Sequence, residues 1–237
     1  MYRYKNRVSY SQLDRGGTLG VTHVLDVMQD ACMFHCQEVG RSCMDLKKEG
    51  KAWLVSSWHL IIHHLPEMGD EYMVSTWPYQ MKGVFNCQNV LLESMEGEVY
   101  ACGDSRWFFY DQADNKPIRI PEEEKKYYDV EPACDMPYTS RKLACPEKLQ
   151  VSQKITVCEN YLDTNEHVNN GQYVRLAVNV LPEGFKIGEL RAEFRNAAHL
   201  GDNLYIKTAQ KEDTVTVVFT DKEDTPYFLS EFVRRQE

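Results

Sequence analysis

The hydrophobic positions of the chain predict two helices with the same surroundings. On the first helix, one face carries apolar side chains at spacings of three to five residues: Val24, Val27, Met28, Ala31, Phe34 and Val39. Pro182 ends a second such pattern, formed by Tyr173, Leu176, Ala177 and Val180. A strand-like segment precedes each helix, at 4–10 and at 153–159. The chain therefore contains the order strand, loop, helix twice.

Apolar runs after each helix predict antiparallel strands. The first half contains them at 52–63, 72–79, 84–93 and 98–110, and the second half at 188–196, 203–211 and 214–220. A Gly-Asp turn follows the helix in both halves, at Gly69-Asp70 and at Gly201-Asp202. A long helix beside such a sheet buries its apolar face in the curl of the sheet, so we predict an α+β fold built twice.

The spacing of the two halves differs between helix and turn. Asp14 aligns with Asp163, an offset of 163 − 14 = 149, whereas Asp70 aligns with Asp202, an offset of 202 − 70 = 132. The first half therefore contains 17 more residues, which we expect around 47–51.

Proline marks the boundary between the halves. Five of the nine prolines are Pro117, Pro121, Pro132, Pro137 and Pro146. This composition predicts a partly extended connector rather than a packed helix. We expect a first domain at 1–121, a linker at 122–149 and a second domain at 150–237.

Composition and charge narrow the classes of function. The chain has 237 residues, 43% of them hydrophobic and 27% charged, which is ordinary for a globular protein. A net charge of −9 argues against a general nucleic-acid binder. The chain contains neither a run of about 18 apolar residues nor a signal peptide, so we expect no membrane span. Eight cysteines without a C-x-x-C pair predict free thiols and a cytoplasmic protein.

Only the second of the two aligned loops carries polar groups suited to catalysis. Asp163, Asn165 and His167 alternate there, so an extended loop directs them to one side. Asn169 and Asn170 follow where the helix begins, and the free amides of a first helical turn attract a developing oxyanion. The ordinary alternative is a set of helix-capping and surface residues.

The loop 163–173 resembles the active-site loop of bacterial and plant acyl-acyl carrier protein thioesterases. Its most specific part is the stretch His167-Val168-Asn169-Asn170. Further similarities across nearly the whole chain are Trp53 to His59 before Pro66, Gly69-Asp70, Thr76-Trp77, Ser105-Arg106-Trp107 and Arg119-Ile120-Pro121. The resemblance implies two hot-dog folds in tandem. It also implies hydrolysis of a fatty acyl-acyl carrier protein thioester to free fatty acid and carrier thiol, in fatty acid biosynthesis.

The same resemblance implies roles for the loop residues. Asp163 orients or polarises the site, and Asn165 holds the thioester or the attacking water. His167 acts as general base or as a donor to the oxyanion, and the base is either Asp163 or His167. Asn169, Asn170 and His199 are expected to contact the substrate. A thiol with a pKa near 8.5 leaves with little help from a general acid. No metal or organic cofactor is expected.

One position departs from the family pattern. The family has a glutamate before the second Gly-Asp turn, followed by cysteine in plant members, where this chain has Ala197 and Ala198. His199 and Glu193 are the nearest substitutes in sequence. Glu193 lies four residues upstream, about 13 Å along an extended strand, which makes it a poor replacement.

The remaining expectations concern substrate and partner. We expect the acyl chain in the first half, beside Met28 and Ala31, with some of the four tryptophans lining an apolar tunnel. An acidic carrier requires a local basic patch, for which the candidate pairs are Lys125-Lys126, Arg141-Lys142 and Arg234-Arg235. His59, His63 and His64 do not form a convincing metal site. The chain is expected to be a monomer or a homodimer.

Two alternatives to this function remain. The first is a thioesterase for acyl-coenzyme A. The second is a protein that binds acyl thioesters without hydrolysing them, and its motivation is Ala197.

Overall fold

The computed structural model describes residues 1–236 and divides the chain into two compact units, Met1–Thr139 and Ser140–Glu237. The first unit takes in residues 122–139 of the stretch expected as a linker.

The N-terminal unit is a five-stranded antiparallel sheet with one long helix against it. Its elements are β1 (Tyr2–Arg7), α1 (Val21–Glu38), α2 (Cys43–Lys48), β2 (Lys51–Ile62), β3 (Glu71–Lys82), β4 (Phe85–Ser94), β5 (Val99–Asp111), β6 (Lys116–Pro117) and α3 (Glu122–Lys125). The strand order is β1-β3-β4-β5-β2, and the short β6 pairs with β5. Helix α1 contacts β1, β3 and β4, and the first four residues of its predicted apolar face, Val24 to Ala31, are buried on the sheet. The prediction was wrong at Phe34, which is exposed, because the buried face continues through Cys32, His35 and Cys36.

Alternation along the strands gives this sheet two distinct faces. Thr76 of β3 contacts Cys32 of α1 and therefore points toward the helix. The next residue, Trp77, points the opposite way, and its indole N–H donates to the Pro132 carbonyl at 2.8 Å. Trp58 belongs to the helix-facing side, whereas Trp77 does not, so only some of the tryptophans can line a chamber beside α1.

The C-terminal unit repeats the same arrangement with a shorter helix. Its elements are β7 (Gln150–Thr156), α4 (Asn170–Val178), β8 (Ile187–Phe194), β9 (Asn203–Lys211), β10 (Thr214–Thr220) and β11 (Pro226–Arg234). The order β7-β9-β10-β11-β8 matches that of the first sheet strand for strand. Strand β11, which the sequence pattern did not predict, pairs with both β8 and β10 and so lies inside this sheet.

The helices explain the extra residues of the first half. Helix α1 has 18 residues and α4 has 9, and α2 adds 6 more that the sequence pattern did not predict. Most of the insertion therefore lies in the longer first helix and in α2, whose last residues, Lys47 and Lys48, overlap the expected 47–51. Among residues 1–236, no helix is long and apolar enough to cross a membrane.

A packed segment covers the sheet face opposite α1. Asn89 of β4 is fully buried there, and its Oδ1 accepts hydrogen bonds from the Cys134 N–H at 3.0 Å and the Tyr138 hydroxyl at 2.9 Å. Its Nδ2 donates to the Gly103 carbonyl at 3.2 Å. Arg106 of β5 donates to the Thr139 carbonyl at 2.9 Å. These bonds fasten 130–139 to the sheet.

We expect Asn89→Ala to destabilise the protein by about 2–3 kcal/mol, because the change removes three hydrogen bonds and leaves buried groups unpaired. Urea unfolding measures the difference. Gln210→Ala, at an exposed position of β9, is the control and should lie within about 0.5 kcal/mol of the wild type. Equal stability of the two variants would contradict the role of Asn89.

Candidate active site

The loops that precede α1 and α4 have the same internal hydrogen bonds. Asp163 Oδ1 accepts from the N–H of Asn165 at 2.7 Å and from the N–H of His167 at 3.3 Å. Asp14 Oδ1 accepts from Gly16 at 2.8 Å and from Thr18 at 3.2 Å. Because the loop without catalytic groups uses its aspartate in the same way, one oxygen of Asp163 serves to order the loop.

Both loops are also tied to their Gly-Asp turns. The Leu19 N–H donates to the Pro66 carbonyl at 2.9 Å, and the Val168 N–H donates to the Ala198 carbonyl at 2.9 Å. These pairs follow the two sequence offsets, 149 and 132. The two halves that the sequence aligned therefore make the same backbone hydrogen bond between the loop and the Gly-Asp turn.

Side chains distinguish the two copies. The backbone is left-handed at Gly17, with φ of 83°, and at the equivalent Glu166, with φ of 63°. A side chain in this conformation is strained by roughly 1–3 kcal/mol, and such strain is often found at functional sites. Thr18 of the first loop is replaced by His167 in the second.

His167 lies against His199, the other histidine of this end of the unit. Their ring centroids are 4.8 Å apart, with the rings tilted by 58°. The Asp202 carboxylate accepts the His199 N–H at 2.8 Å and fixes the turn. In the first unit, the Asp70 carboxylate accepts the backbone N–H of Glu67 at 2.9 Å, which is the equivalent bond. The Gly-Asp pair that repeats in the sequence therefore marks the same turn in both units.

The start of α4 combines a side-chain cap with one open amide. Asn169 Oδ1 accepts from the Gly171 N–H at 2.8 Å, so the Asn169 side chain caps α4. The N–H groups of Gln172 and Tyr173 point to the Asn169 carbonyl. In the part of the chain that the structure describes, the Asn170 N–H is the first-turn amide left without an acceptor.

Glu193 is not part of this site. Its neighbour Phe194 contacts Tyr173 of α4, so Glu193 points to the other face of the sheet. There it is buried and accepts from the Leu143 N–H at 2.9 Å and from Arg195 at 2.8 Å. The structure thus brings His199, and not Glu193, to His167.

Comparison with known proteins places this arrangement in a family. The family model described as the acyl-ACP thioesterase N-terminal domain matches residues 1–128. The chloroplastic acyl-[acyl-carrier-protein] hydrolase FATB3 of Cuphea viscosissima is 22% identical over 186 residues, 73% of this chain and 45% of its own length. The chloroplastic oleoyl-acyl carrier protein thioesterase 1 of Arabidopsis thaliana is 24% identical over 200 residues, 77% of this chain and 55% of its own. The chain spans about half the length of these curated relatives.

Two solved structures share the fold over the whole chain. An acyl-ACP thioesterase from Bacteroides thetaiotaomicron has a TM-score of 0.90 at 17% identity and covers 99% of this chain and 97% of its own. The 12:0-ACP thioesterase from Umbellularia californica has a TM-score of 0.87 at 18% identity and covers 100% of this chain and 97% of its own. The predicted fold, two hot-dog domains in tandem, is confirmed. Since the family model matches more than half of its 237 residues, the chain belongs to the acyl-ACP thioesterase family.

Proposed function

We propose that the protein hydrolyses a fatty acyl-acyl carrier protein thioester to free fatty acid and carrier thiol, as a step of fatty acid biosynthesis. The observation that carries the proposal is the placement of His167, His199 and the start of α4 around one loop in a member of this family. The first unit, with Thr18 and Gly20 at the equivalent positions of its loop, lacks these groups. The chemistry therefore belongs to the second unit.

We assign roles to the loop residues within this proposal. Of the two candidate bases, Asp163 and His167, we choose His167, because Asp163 Oδ1 already accepts two backbone N–H groups of the loop. Asp163 is a positioning residue, and Asn165, held by that aspartate, orients the thioester or the water. The Asn170 N–H faces the developing oxyanion, and one such donor contributes about 3 kcal/mol. Asn169 fixes this amide through its cap.

His199 takes the place left by the family's glutamate. Ala197 has no group that could polarise water, whereas the His199 ring contacts the His167 ring directly. His199 therefore contacts substrate or water beside the base.

The acyl chain is assigned to the N-terminal unit. In the C-terminal unit the space beneath α4 is filled by an aromatic cluster, in which Tyr173 stacks on Phe228 at 5.2 Å and contacts Phe219 at 5.6 Å. The N-terminal sheet instead faces α1 with the Trp58–Trp107 pair, whose ring centroids are 6.4 Å apart, and with Gly103, which has no side chain. Met28 and Ala31, both fully buried on α1, are the residues expected to limit chain length.

The three basic pairs differ in their suitability for an acidic carrier. Lys125 and Lys126 are held by Glu122 at 2.7 Å and Glu123 at 2.9 Å. Arg141 lies 3.9 Å from Glu193. A cavity of about 390 Å³ contains the third pair and is lined by Gly184, Lys186, Asp213, Arg234, Arg235 and Gln236. This cavity lies next to the first residue of β8, and the chain reaches Ala198 only after the other end of that strand. The strand is about 26 Å long, so the cavity and the candidate active site lie at opposite ends of β8.

All eight cysteines are free thiols, which supports the reducing cytoplasm as the compartment.

Replacing His167 by Ala should lower kcat for acyl-acyl carrier protein by about 10²–10⁴-fold, the usual contribution of a general base. Thr18→Ala, at the equivalent place of the other loop, should leave kcat unchanged. A release assay of free fatty acid over several chain lengths measures both. Full activity of both the His167→Ala and the Asp163→Ala protein would exclude this site.

The pair Asp163→Ala and Asp14→Ala separates positioning from general stability. Each variant loses the acceptor of two backbone N–H groups, so both should unfold about 1–2 kcal/mol more readily. Only Asp163→Ala should lose activity. Equal loss of activity in the two proteins would show that the effect of Asp163 is on folding alone.

Two measurements test the alternatives: the preference for acyl carrier protein over coenzyme A, and the presence of any hydrolysis. We expect higher kcat/KM with acyl-acyl carrier protein than with acyl-coenzyme A of the same chain, and a smaller difference at high salt because charged docking is screened. A preference for coenzyme A would favour the first alternative. Tight binding without release at any chain length would establish a non-catalytic binder, which Ala197 motivates.

A further inference from the structure

The ring of Tyr173 lies in a cluster of phenylalanines, and its hydroxyl is the polar group of that cluster. The side chain is 2% exposed, and the ring centroids of Phe228, Phe219 and Phe194 lie 5.2, 5.6 and 6.2 Å from its own. The hydroxyl is buried and has no hydrogen-bond partner among residues 1–236. Because an unpaired buried hydroxyl costs free energy that a phenylalanine would not, packing does not account for a tyrosine at this position.

A second open group, the backbone N–H of Ala198, faces this hydroxyl. Ala198 is fully buried, and its carbonyl accepts the Val168 N–H at 2.9 Å. Its own N–H has no acceptor of ordinary geometry in the chain as described up to Gln236. Burial raises the pKa of the Tyr173 hydroxyl, and the Ala198 N–H, which points to the hydroxyl oxygen, counteracts that rise. A buried donor and a buried acceptor therefore face each other without an ordinary hydrogen bond between them.

The first copy of the repeat lacks both groups. At the offset of 149 residues, the equivalent of Tyr173 is Val24, which is fully buried on α1. At the offset of 132 residues, the equivalent of Ala198 is Pro66, whose carbonyl still accepts a loop N–H, that of Leu19. Valine has no polar side-chain atom, and proline has no N–H. The framework therefore forms without this pair of groups, which belongs to the copy that carries the candidate catalytic side chains.

The Ala198 peptide bears on the candidate site through the residue that follows it. The His199 ring lies 4.8 Å from the His167 ring, and the His199 N–H is held by the Asp202 carboxylate at 2.8 Å. On the other side of this histidine, the Ala198 N–H is the group still open. Hydrogen bonds of active sites are often long or poorly aligned in the free enzyme and tighten only when the substrate reacts.

We propose that Tyr173 is a positioning residue for the hydrolysis: in the transition state its hydroxyl accepts the Ala198 N–H and so holds His199 beside the reacting group. Because the bond is absent from the free protein, it lowers the barrier to reaction and does not contribute to folding. The inference rests on the proposed function, since it requires a reaction in which His199 takes part.

Tyr173→Phe removes the hydroxyl and keeps the ring. We expect kcat for acyl-acyl carrier protein to fall about tenfold, the rate equivalent of one hydrogen bond, and KM to change less than about twofold. Stability in urea should not fall. The control is Tyr72→Phe, because the Tyr72 hydroxyl of the N-terminal sheet is also buried and has no partner among residues 1–236. It should leave kcat unchanged. Wild-type kcat in Tyr173→Phe, equal losses in the two variants, or a loss of stability that accounts for the lost activity overturns the inference.

A double-mutant cycle tests whether Tyr173 acts through His199. His199→Ala alone should lower kcat, and adding Tyr173→Phe to it should cause no further loss, because the side chain to be positioned is already absent. Losses that multiply in the double variant would show that the tyrosine acts independently of His199, and this result overturns the inference.

A measurement without turnover separates this inference from the proposed function. A pantetheine alkylphosphonothioate, whose tetrahedral phosphorus imitates the reaction intermediate, is bound to the wild type and to Tyr173→Phe. Hydrogen exchange of the Ala198 amide, followed by NMR, should slow about fivefold or more on binding in the wild type and not in the variant. Equal slowing in both proteins overturns the inference and leaves the hydrolase intact. Absence of release from any acyl chain contradicts the hydrolase, while the exchange experiment still decides whether the bond between Tyr173 and Ala198 forms.

Discussion

The hydrogen bonds accepted by one aspartate oxygen determine where each candidate catalytic group of this protein lies. Asp163 Oδ1 holds the amides of Asn165 and His167, and the same loop is fastened to Ala198 through Val168. Without these bonds the imidazole of His167 and the first turn of α4 have no defined relation. Asp14 makes the equivalent bonds in the other unit, whose loop has no candidate catalytic side chains. The backbone conformation of the loop therefore does not depend on those side chains.

The two units therefore share a backbone framework and differ in the side chains that it carries. In the C-terminal unit, stacked rings of Tyr173 and Phe228 occupy the space beneath the helix and make a rigid base for the loop. In the N-terminal unit, Met28 Sδ and the Trp58 ring cover Gly103 of β5 on the side that faces α1. The same framework therefore carries different side chains beneath its two helices.

The sequence predicted the elements whose signal is local. The apolar period located α1 within a few residues, and the repeated Gly-Asp turn aligned the two halves. Six residues are too few to show a helical period, so α2 was missed. The prolines predicted an irregular connector, but its fastening to Asn89 depends on a residue some 45 positions away and on the folded sheet.

The same distinction holds for the candidate site, where the sequence identified neighbouring residues and only the fold shows contacts between distant ones. Spacing alone pointed to Asp163, Asn165 and His167, but only the repeat of hydrogen bonds shows that the aspartate is engaged by the backbone. The loss of the family's glutamate at Ala197 looked like a gap in the chemistry. Strand alternation turns Glu193 away from α4, and the bond from Val168 to Ala198 brings His199 to His167. His199 lies 32 residues after His167 and still reaches the site, because the preceding residue, Ala198, accepts the hydrogen bond that holds the loop.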